Sequence, residues 1–352
     1  MRICYLIDNI NPRHGGGRYA SDLILAVKKA GYNVVVLKEE DDGFEGISVL
    51  KAGGNLFLNA ARVRKYLKDC DVIHAIDGYP YGIIAAIANK GLNKKLIITA
   101  QGTYAVAPLY SFGIGWLLKW AYRKADKIIS ISRYTKNEIL KRVNLRNIEI
   151  INHGIDFEKF HKLPADSKEN FILGVGFLKY RKGYHVSIPA FAEAKKELPD
   201  LKYKIIGSQK DTAYFDELKN LAVQHGVDKD IEFLTGLSDG KLSDFYRRAK
   251  LFILTSVNEN HHFEGFGLVF LEAAAAGLPV IGTLGNGIED AVKNDYNGFL
   301  VPQNDVRATT EAIIRILKSK NLRKEMSENS HVWAKDHDWS KVVIKYLNAY
   351  KN

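Results

Sequence analysis

Short apolar runs bounded by turn residues alternate with amphipathic stretches along the whole 352-residue chain. In the first half the runs fall at 3–7, 34–37, 72–75, 96–99, 127–131 and 148–151, each the length of a buried strand. Between them, 19–30, 57–68 and 135–143 carry helical spacing. Around 160–170 the chain turns polar, with Pro164, Asp166 and Ser167, and the rhythm then restarts at 171–175, 202–206, 231–234, 251–254, 280–282 and 298–301. Apolar strands alternating with helices specify a parallel sheet covered on both faces. The pattern therefore predicts an α/β protein of two doubly wound, Rossmann-like domains, 1–166 and 167–334, with a cleft between them as the default ligand site. A last helix is predicted over 340–350, after Trp339.

A chain of this length exceeds what one core usually fills, in agreement with two domains. With 46% hydrophobic and 26% charged residues the composition is that of a globular protein. Cys4 and Cys70 each adjoin an apolar run, which reads as two buried thiols in a reducing compartment, with no disulfide framework. The first strand begins at once and no apolar run reaches spanning length, so a cytoplasmic protein is expected. The net charge of +11 is uneven: residues 1–170 hold 26 Lys+Arg against 17 Asp+Glu, and residues 171–352 hold 25 against 23. A basic first half suits an acidic partner such as anionic lipid, a phosphorylated acceptor or nucleic acid, and solubilising lysine explains the same count.

The densest chemistry lies at 263–282. Gly265 and Gly267 let backbone approach a ligand, 268–276 read as a short Ala- and Leu-rich helix, and Gly277 and Pro279 stop it. The first free N–H groups of that helix, near Gly267 and Leu268, suit a phosphate. Glu264 precedes the helix and Glu272 lies one turn into it. Eight fully helical steps would separate them by about 12 Å, beyond the roughly 5 to 9.5 Å of a glycosidase pair, so two distant hydroxyl contacts are expected. Followed by Ala-Gly-Leu-Pro-Val, the Glu264 to Gly282 stretch closely resembles the donor-site signature of retaining GT-B glycosyltransferases of family 4.

That resemblance extends over nearly the whole chain, including Asn152-His153-Gly154-Ile155-Asp156, and implies the GT-B fold with a C-terminal helix, 335–352, returning to the first domain. It implies a sugar moved from a UDP- or GDP-sugar to a glycan or lipid-linked acceptor, with no nucleic-acid partner, no cofactor and no bound metal. Glu264 would contact sugar hydroxyls, Glu272 the ribose, and the segment Gly265-Phe266-Gly267-Leu268 the diphosphate. Gly176 to Gly183 resembles the family's strand-end motif of donor-neutralising cations: Lys182 matches its lysine, while Phe177 stands where arginine is usual and Arg181 is the substitute at hand. Gly15-Gly16-Gly17 would form a loop overhanging the cleft, with Gly16 and Gly17 near donor phosphate or acceptor. Gln101 occupies the place of a histidine that contacts the transferred sugar; glutamine hydrogen-bonds but carries no positive charge. Ile206-Gly207-Ser208 and 234–237 would lie toward the nucleobase. His74 and Asp77, after the 72–75 strand, are candidate acceptor contacts, and structural roles serve them equally. Asn286, in a segment resembling Gly-Gly-x-x-Glu, replaces a glycine and tolerates a left-handed backbone.

Two rival enzymes share parts of this pattern. A GT-B sugar-nucleotide epimerase would keep the fold and dispense with an acceptor. An NAD-dependent oxidoreductase would read Gly15 to Ala20 as G-x-G-x-x-A with Glu39 on the ribose, although such glycines should follow their strand directly. His261-His262-x-Glu264 is not a recognised zinc spacing. Phe112, Trp116 and Trp120 recur every four residues beside Lys119, Arg123 and Lys127. That stripe fits an interfacial helix giving peripheral contact with an anionic membrane, or a packed helix with a solvated edge.

Overall fold

Thirteen short strands, all paired in parallel, form two separate sheets in the computed structural model, which describes residues 1–12, 15–39, 41, 43–161 and 168–351. The chain divides into unit 1, Met1–Gly154 with Trp339–Asn352, and unit 2, Ile155–Asp338.

Unit 1 is built from strands β1 (Arg2–Leu6), β2 (Asn33–Lys38), β3 (Ile47–Ser48), β4 (Val72–Ile76), β5 (Lys95–Ala100), β6 (Lys127–Ser130) and β7 (Ile148–Ile150). Its helices are α1 (Gly15–Lys29), α2 (Leu56–Leu67), α3 (Ile83–Asn89), α4 (Thr103–Val106), α5 (Ile114–Lys124) and α6 (Arg133–Leu140). The sheet order is β3-β2-β1-β4-β5-β6-β7. β4 is buried along its whole length, as a central strand covered on both faces must be. Right-handed crossovers place connections running to opposite sides of β1 on opposite faces; accordingly α3 packs against α2 and α5, and α1 packs elsewhere.

Unit 2 begins with α7 (Phe157–His161) and continues through β8 (Phe171–Val175), α8 (Tyr184–Lys195), β9 (Lys202–Ile206), α9 (Thr212–Gln224), β10 (Ile231–Leu234), α10 (Asp239–Arg248) and β11 (Leu251–Ile253). It closes with α11 (Leu268–Ala275), β12 (Val280–Thr283), β13 (Gly298–Val301), α12 (Val306–Lys318) and α13 (Lys320–Asp336). The order is β10-β9-β8-β11-β12-β13. Side chains that bond backbone N–H groups set several helix starts: Asp211 for α9, Ser238 for α10, Asp305 for α12 and Ser319 for α13.

The polar turn expected at 164–167, with the boundary at 166, lies outside the described residues. Among described residues, unit 1 ends at Gly154, because Phe157 and Phe160 on α7 pack into unit 2, Phe160 edge-on to Tyr246. Three further expectations change. The two-residue strand β3 gave no pattern of its own. Gly15, Gly16 and Gly17 are the first turn of α1 and not a loop: Gly17 is buried so closely that a Cβ would meet the Asn11 carbonyl oxygen. Lys127 lies on β6, paired with Glu149, outside the α5 stripe.

The last helix, α14 (Trp339–Lys351), belongs to unit 1 and packs on α1. A chain of buried polar groups fixes it: Tyr5 Oη to Tyr350 Oη (2.9 Å), Tyr350 Oη to His74 Nδ1 (2.8 Å), His74 Nε2 to Thr99 Oγ1 (2.7 Å) and Tyr19 Oη to Tyr346 Oη (2.8 Å). Each bond satisfies groups that no water reaches. Burial holds the His74 pKa down at about 3, whereas an unfolded histidine titrates near 6.5. The unfolded chain therefore binds the extra proton between those values, and stability falls as pH drops from about 6.5 toward 3. The expected slope for this group is about 1.4 kcal/mol per pH unit. Denaturant titrations of the wild type and of His74→Asn across that window should differ by this slope. Tyr350→Phe, which strands His74 Nδ1 and Tyr5 Oη, should cost about 1–3 kcal/mol at pH 8.

Candidate active site

In unit 2 the chain leaves β8 toward β9 on one side, and β11 leads to β12 on the other. In an open parallel sheet the loops leaving two such strands diverge and open a crevice at their carboxyl ends. Lys182 follows β8 and Glu264 follows β11. Backbone ties bring their loops together: Val257 N donates to Arg181 O (2.9 Å), and Thr255 Oγ1 donates to Gly183 O (2.6 Å). Across this junction Glu264 Oε2 accepts from Lys182 Nζ at 2.5 Å and Arg181 Nη1 at 3.4 Å.

The Lys182 and Glu264 side chains are only 12% and 13% exposed, and that of Arg181 30%. Burial lowers the Lys182 pKa, and Arg181 and Lys179 lower it further while Glu264 opposes them. One carboxylate facing two cations leaves an excess of positive charge at the crevice. Phe177 is exposed with Lys179 over its ring, so Arg181 is the guanidinium beside Lys182.

Residues 263–267 are not helical, and α11 starts at Leu268. Gly267 caps it with φ 83°, a left-handed conformation that only glycine adopts cheaply. The turn therefore points the first amides of α11 toward the strand-end edge. Gly287 N donates to Glu264 O (2.9 Å), holding the approach to the helix. Glu272 is buried, and its Oε2 accepts from Tyr246 Oη at 2.8 Å. Sequence reasoning did not single out Tyr246 as that partner; it lies 26 residues away on α10, where no short-range pattern connects the two.

Asn286 departs from expectation: its backbone is extended (φ −154°), and its side chain caps the following turn by accepting from Ile288 N. The left-handed residue there is Gly285, φ 75°. His261 and His262 are exposed, and among the described residues no three His, Cys, Asp or Glu side chains converge as metal ligands would.

In unit 1 the corresponding strand-end position lies between β1 and β4, followed by Asp8 and Asp77. Asp77 Oδ1 accepts from Gly78 N (2.8 Å), and the Gln101 backbone N–H also donates to it. Burial raises its pKa to about 7; the two backbone donors restrain the rise and nearby Asp8 adds to it. Gln101 is half-buried after β5. His74 does not share this edge. It is fully buried with both ring nitrogens engaged, so the acceptor contact expected of it is corrected to a structural role. Gly16 is exposed and Gly17 buried at the head of α1, and residues 7–14 separate them from β1, unlike a dinucleotide fingerprint.

Two doubly wound sheets of this kind define the GT-B class of glycosyltransferase folds. The Anabaena protein HepE, solved in complex with UDP, superposes with a TM-score of 0.86 at 18% identity, over 100% of both chains. Residues 156–333 match the model of glycosyl transferases group 1, and residues 13–159 that of glycosyltransferase family 4. The chain belongs to the glycosyl transferases group 1 family and is a glycosyltransferase. An uncharacterized glycosyltransferase of Methanocaldococcus jannaschii is 29% identical over 323 residues, 91% of this chain and 84% of that one. A GDP-mannose-dependent alpha-(1-6)-phosphatidylinositol monomannoside mannosyltransferase of Mycolicibacterium smegmatis is 26% identical over 320 residues, 85% and 82% of the two chains. The epimerase and oxidoreductase alternatives find no support in these matches.

The Asp77 carboxyl should titrate at about 7 in carbon-detected NMR, against an ordinary aspartate near 3.9. The folded chain binds the extra proton between these values, so the stability this group contributes is full below the lower value and lost as pH rises through 7. Asp77→Asn should flatten that part of the stability profile.

Proposed function

We propose that the protein is a retaining glycosyltransferase that moves a sugar from a UDP- or GDP-sugar to a glycan or lipid-linked acceptor. The observation that carries this reading is the Glu264 carboxylate bridging Lys182 and Arg181 beside the start of α11. In the reaction the bond from the sugar's anomeric carbon to the diphosphate oxygen breaks, and the acceptor oxygen bonds that carbon on the same face. The acceptor hydroxyl proton passes to the leaving phosphate oxygen. Charge on the diphosphate grows as the bond breaks, and fixed cations stabilise that state more than the ground state. Lys182 and Arg181 serve this purpose, assisted by the amides of 265–268, so the positive charge required is supplied without a metal.

Glu264 accepts from sugar hydroxyls once the diphosphate has taken over its cations, and Glu272, set by Tyr246, accepts from the ribose. Acceptor hydroxyls are assigned to unit 1, at Asp77 and Gln101. The relatives support the donor class: HepE was solved with UDP, and the mannosyltransferase is named for GDP-mannose and a phosphatidylinositol glycolipid. That acceptor also favours a role in cell-envelope glycan or glycolipid synthesis. The free, buried thiols of Cys4 and Cys70 suit a reducing, cytoplasmic compartment, and no helix among the described residues is long and apolar enough to cross a membrane.

A panel of UDP-, GDP- and ADP-sugars, read by nucleotide release and by the anomeric configuration of the product, tests the reading; an inverted product would refute retention. Lys182→Ala should lower kcat about 10²- to 10³-fold and weaken binding of the free nucleoside diphosphate. Glu264→Gln should spare nucleotide binding and lose transfer, and EDTA should leave the wild-type rate unchanged.

A further inference from the structure

The helical layer formed by α2, α3 and α5 on unit 1 has a composition that neither the fold nor the transfer chemistry requires. Residues 47–68, spanning α2, contain no Asp or Glu, and neither do residues 78–125, spanning α3 to α5. The same stretches hold Lys51, Arg62, Arg64, Lys65 and Lys68, then Lys90, Lys94, Lys95, Lys119, Arg123 and Lys124. The acids of unit 1 lie elsewhere in the chain, so this layer carries cations with no compensating carboxylate of its own. Among the described residues, no ion pair engages Lys119, Arg123 or Lys124.

Large apolar side chains stand in solvent on the same layer. Phe112 is fully exposed, Trp116 is 70% exposed and Tyr104 66%, while Phe57 and Leu58 are exposed at the start of α2. Phe112 is not on a loose tail: Ser111 N donates to Pro108 O (3.1 Å) and Ile114 N to Phe112 O (2.8 Å), so the turn before α5 is hydrogen-bonded. On α5 the residues Gly115, Leu118, Ala121 and Tyr122 are buried. The opposite face carries Trp116, Lys119, Trp120 and Arg123 at three- to four-residue spacing. A packed helix with a merely solvated edge would present polar residues there, not a tryptophan next to a phenylalanine.

We propose that this side of unit 1 docks on an anionic lipid bilayer, with Phe112 and Trp116 entering the interface and Lys119, Arg123 and Lys124 meeting headgroup phosphates. Aromatic rings partition to that depth, and cations engaged in no ion pair add attraction that salt weakens. The α5 segment is too short to span a bilayer and lies on its surface. Docking of this kind is independent of the transfer chemistry.

Full-length chain is sedimented with phosphatidylcholine vesicles and with vesicles that also contain phosphatidylglycerol. Binding should require phosphatidylglycerol and fall as salt is raised. Lys119→Gln with Arg123→Gln should weaken it roughly twenty-five-fold, at about fivefold per cation. Phe112→Ser with Trp116→Ser should abolish it at every salt concentration, with unfolding midpoints unchanged because both side chains stand in solvent. Equal binding by the double serine variant, or no wild-type binding to either vesicle, overturns the proposal. So does a concentration-dependent dimer in solution that Trp116→Ser disperses while vesicle binding is absent, since the face would then belong to a second copy of this chain.

Discussion

The contact of Glu264 with Lys182 and Arg181 is the constraint on which the organisation of unit 2 turns. Two cations adjacent in sequence and largely withdrawn from water repel each other and lose hydration, so that arrangement persists only with a counter-charge. The counter-charge must come from a second loop, because 180–183 contain no acid. Parallel order provides that loop, since β8 and β11 are neighbours whose connections depart in opposite directions. Gly267 then turns the chain from Glu264 into α11, placing a helix start beside the ion pair. Fold, electrostatics and candidate chemistry thus meet at one point, and a ligand bearing a diphosphate offers the cations what the carboxylate now supplies.

Most of the secondary structure was legible because buried parallel strands are unbroken apolar runs, as at 171–175, which matches β8. Where reading failed, tertiary contact outweighed local preference. Three consecutive glycines are poor helix formers, yet Gly15 to Gly17 open α1, because Tyr19, Leu23, Ile24 and Val27 bury one face of that helix and Gly17 fits against the Asn11 backbone. The edge strand β3 is too short to show a period, and Ile47 and Ser48 are both exposed. A polar stretch drew the expected boundary to 166, whereas the packing of Phe157 and Phe160, two aromatics inside otherwise polar sequence, decides to which unit α7 belongs.

The candidate site was legible where its residues are close in sequence and illegible where its partners are remote. The segment 264–268 and the pair Arg181-Lys182 announce themselves locally, while the bond from Tyr246 to Glu272 joins two helices with no common pattern. His74 shows the same limit more sharply. A histidine on the strand that leads to Asp77 invites a binding role, but its partner Tyr350 lies 276 residues away at the end of the chain. Only the return of α14 to unit 1 reveals that the imidazole is a cross-tie. That tie is also why the last helix contributes three buried tyrosine and tryptophan rings, Trp339, Tyr346 and Tyr350, to a core begun by β1 and α1.

Charge counted by halves of the chain does not say where within unit 1 the excess lies. The strand-end edge of that unit carries Asp8, Asp77 and Glu39, with Glu39 N bonded to Asp8 O and Glu39 beside Tyr81, whose hydroxyl pKa burial raises further than those carboxylates do. Such an edge disfavours a diphosphate and offers acceptors for hydroxyl hydrogens. The excess cations lie instead on the layer of α2, α3 and α5, a different surface with a different use. Once the charges are located, the two units divide the proposed reaction by electrostatics alone. In that proposal the anionic donor is assigned to Lys182 and Arg181 in unit 2 and an uncharged hydroxyl acceptor to the strand-end edge of unit 1, and the basic character of the first half serves neither assignment.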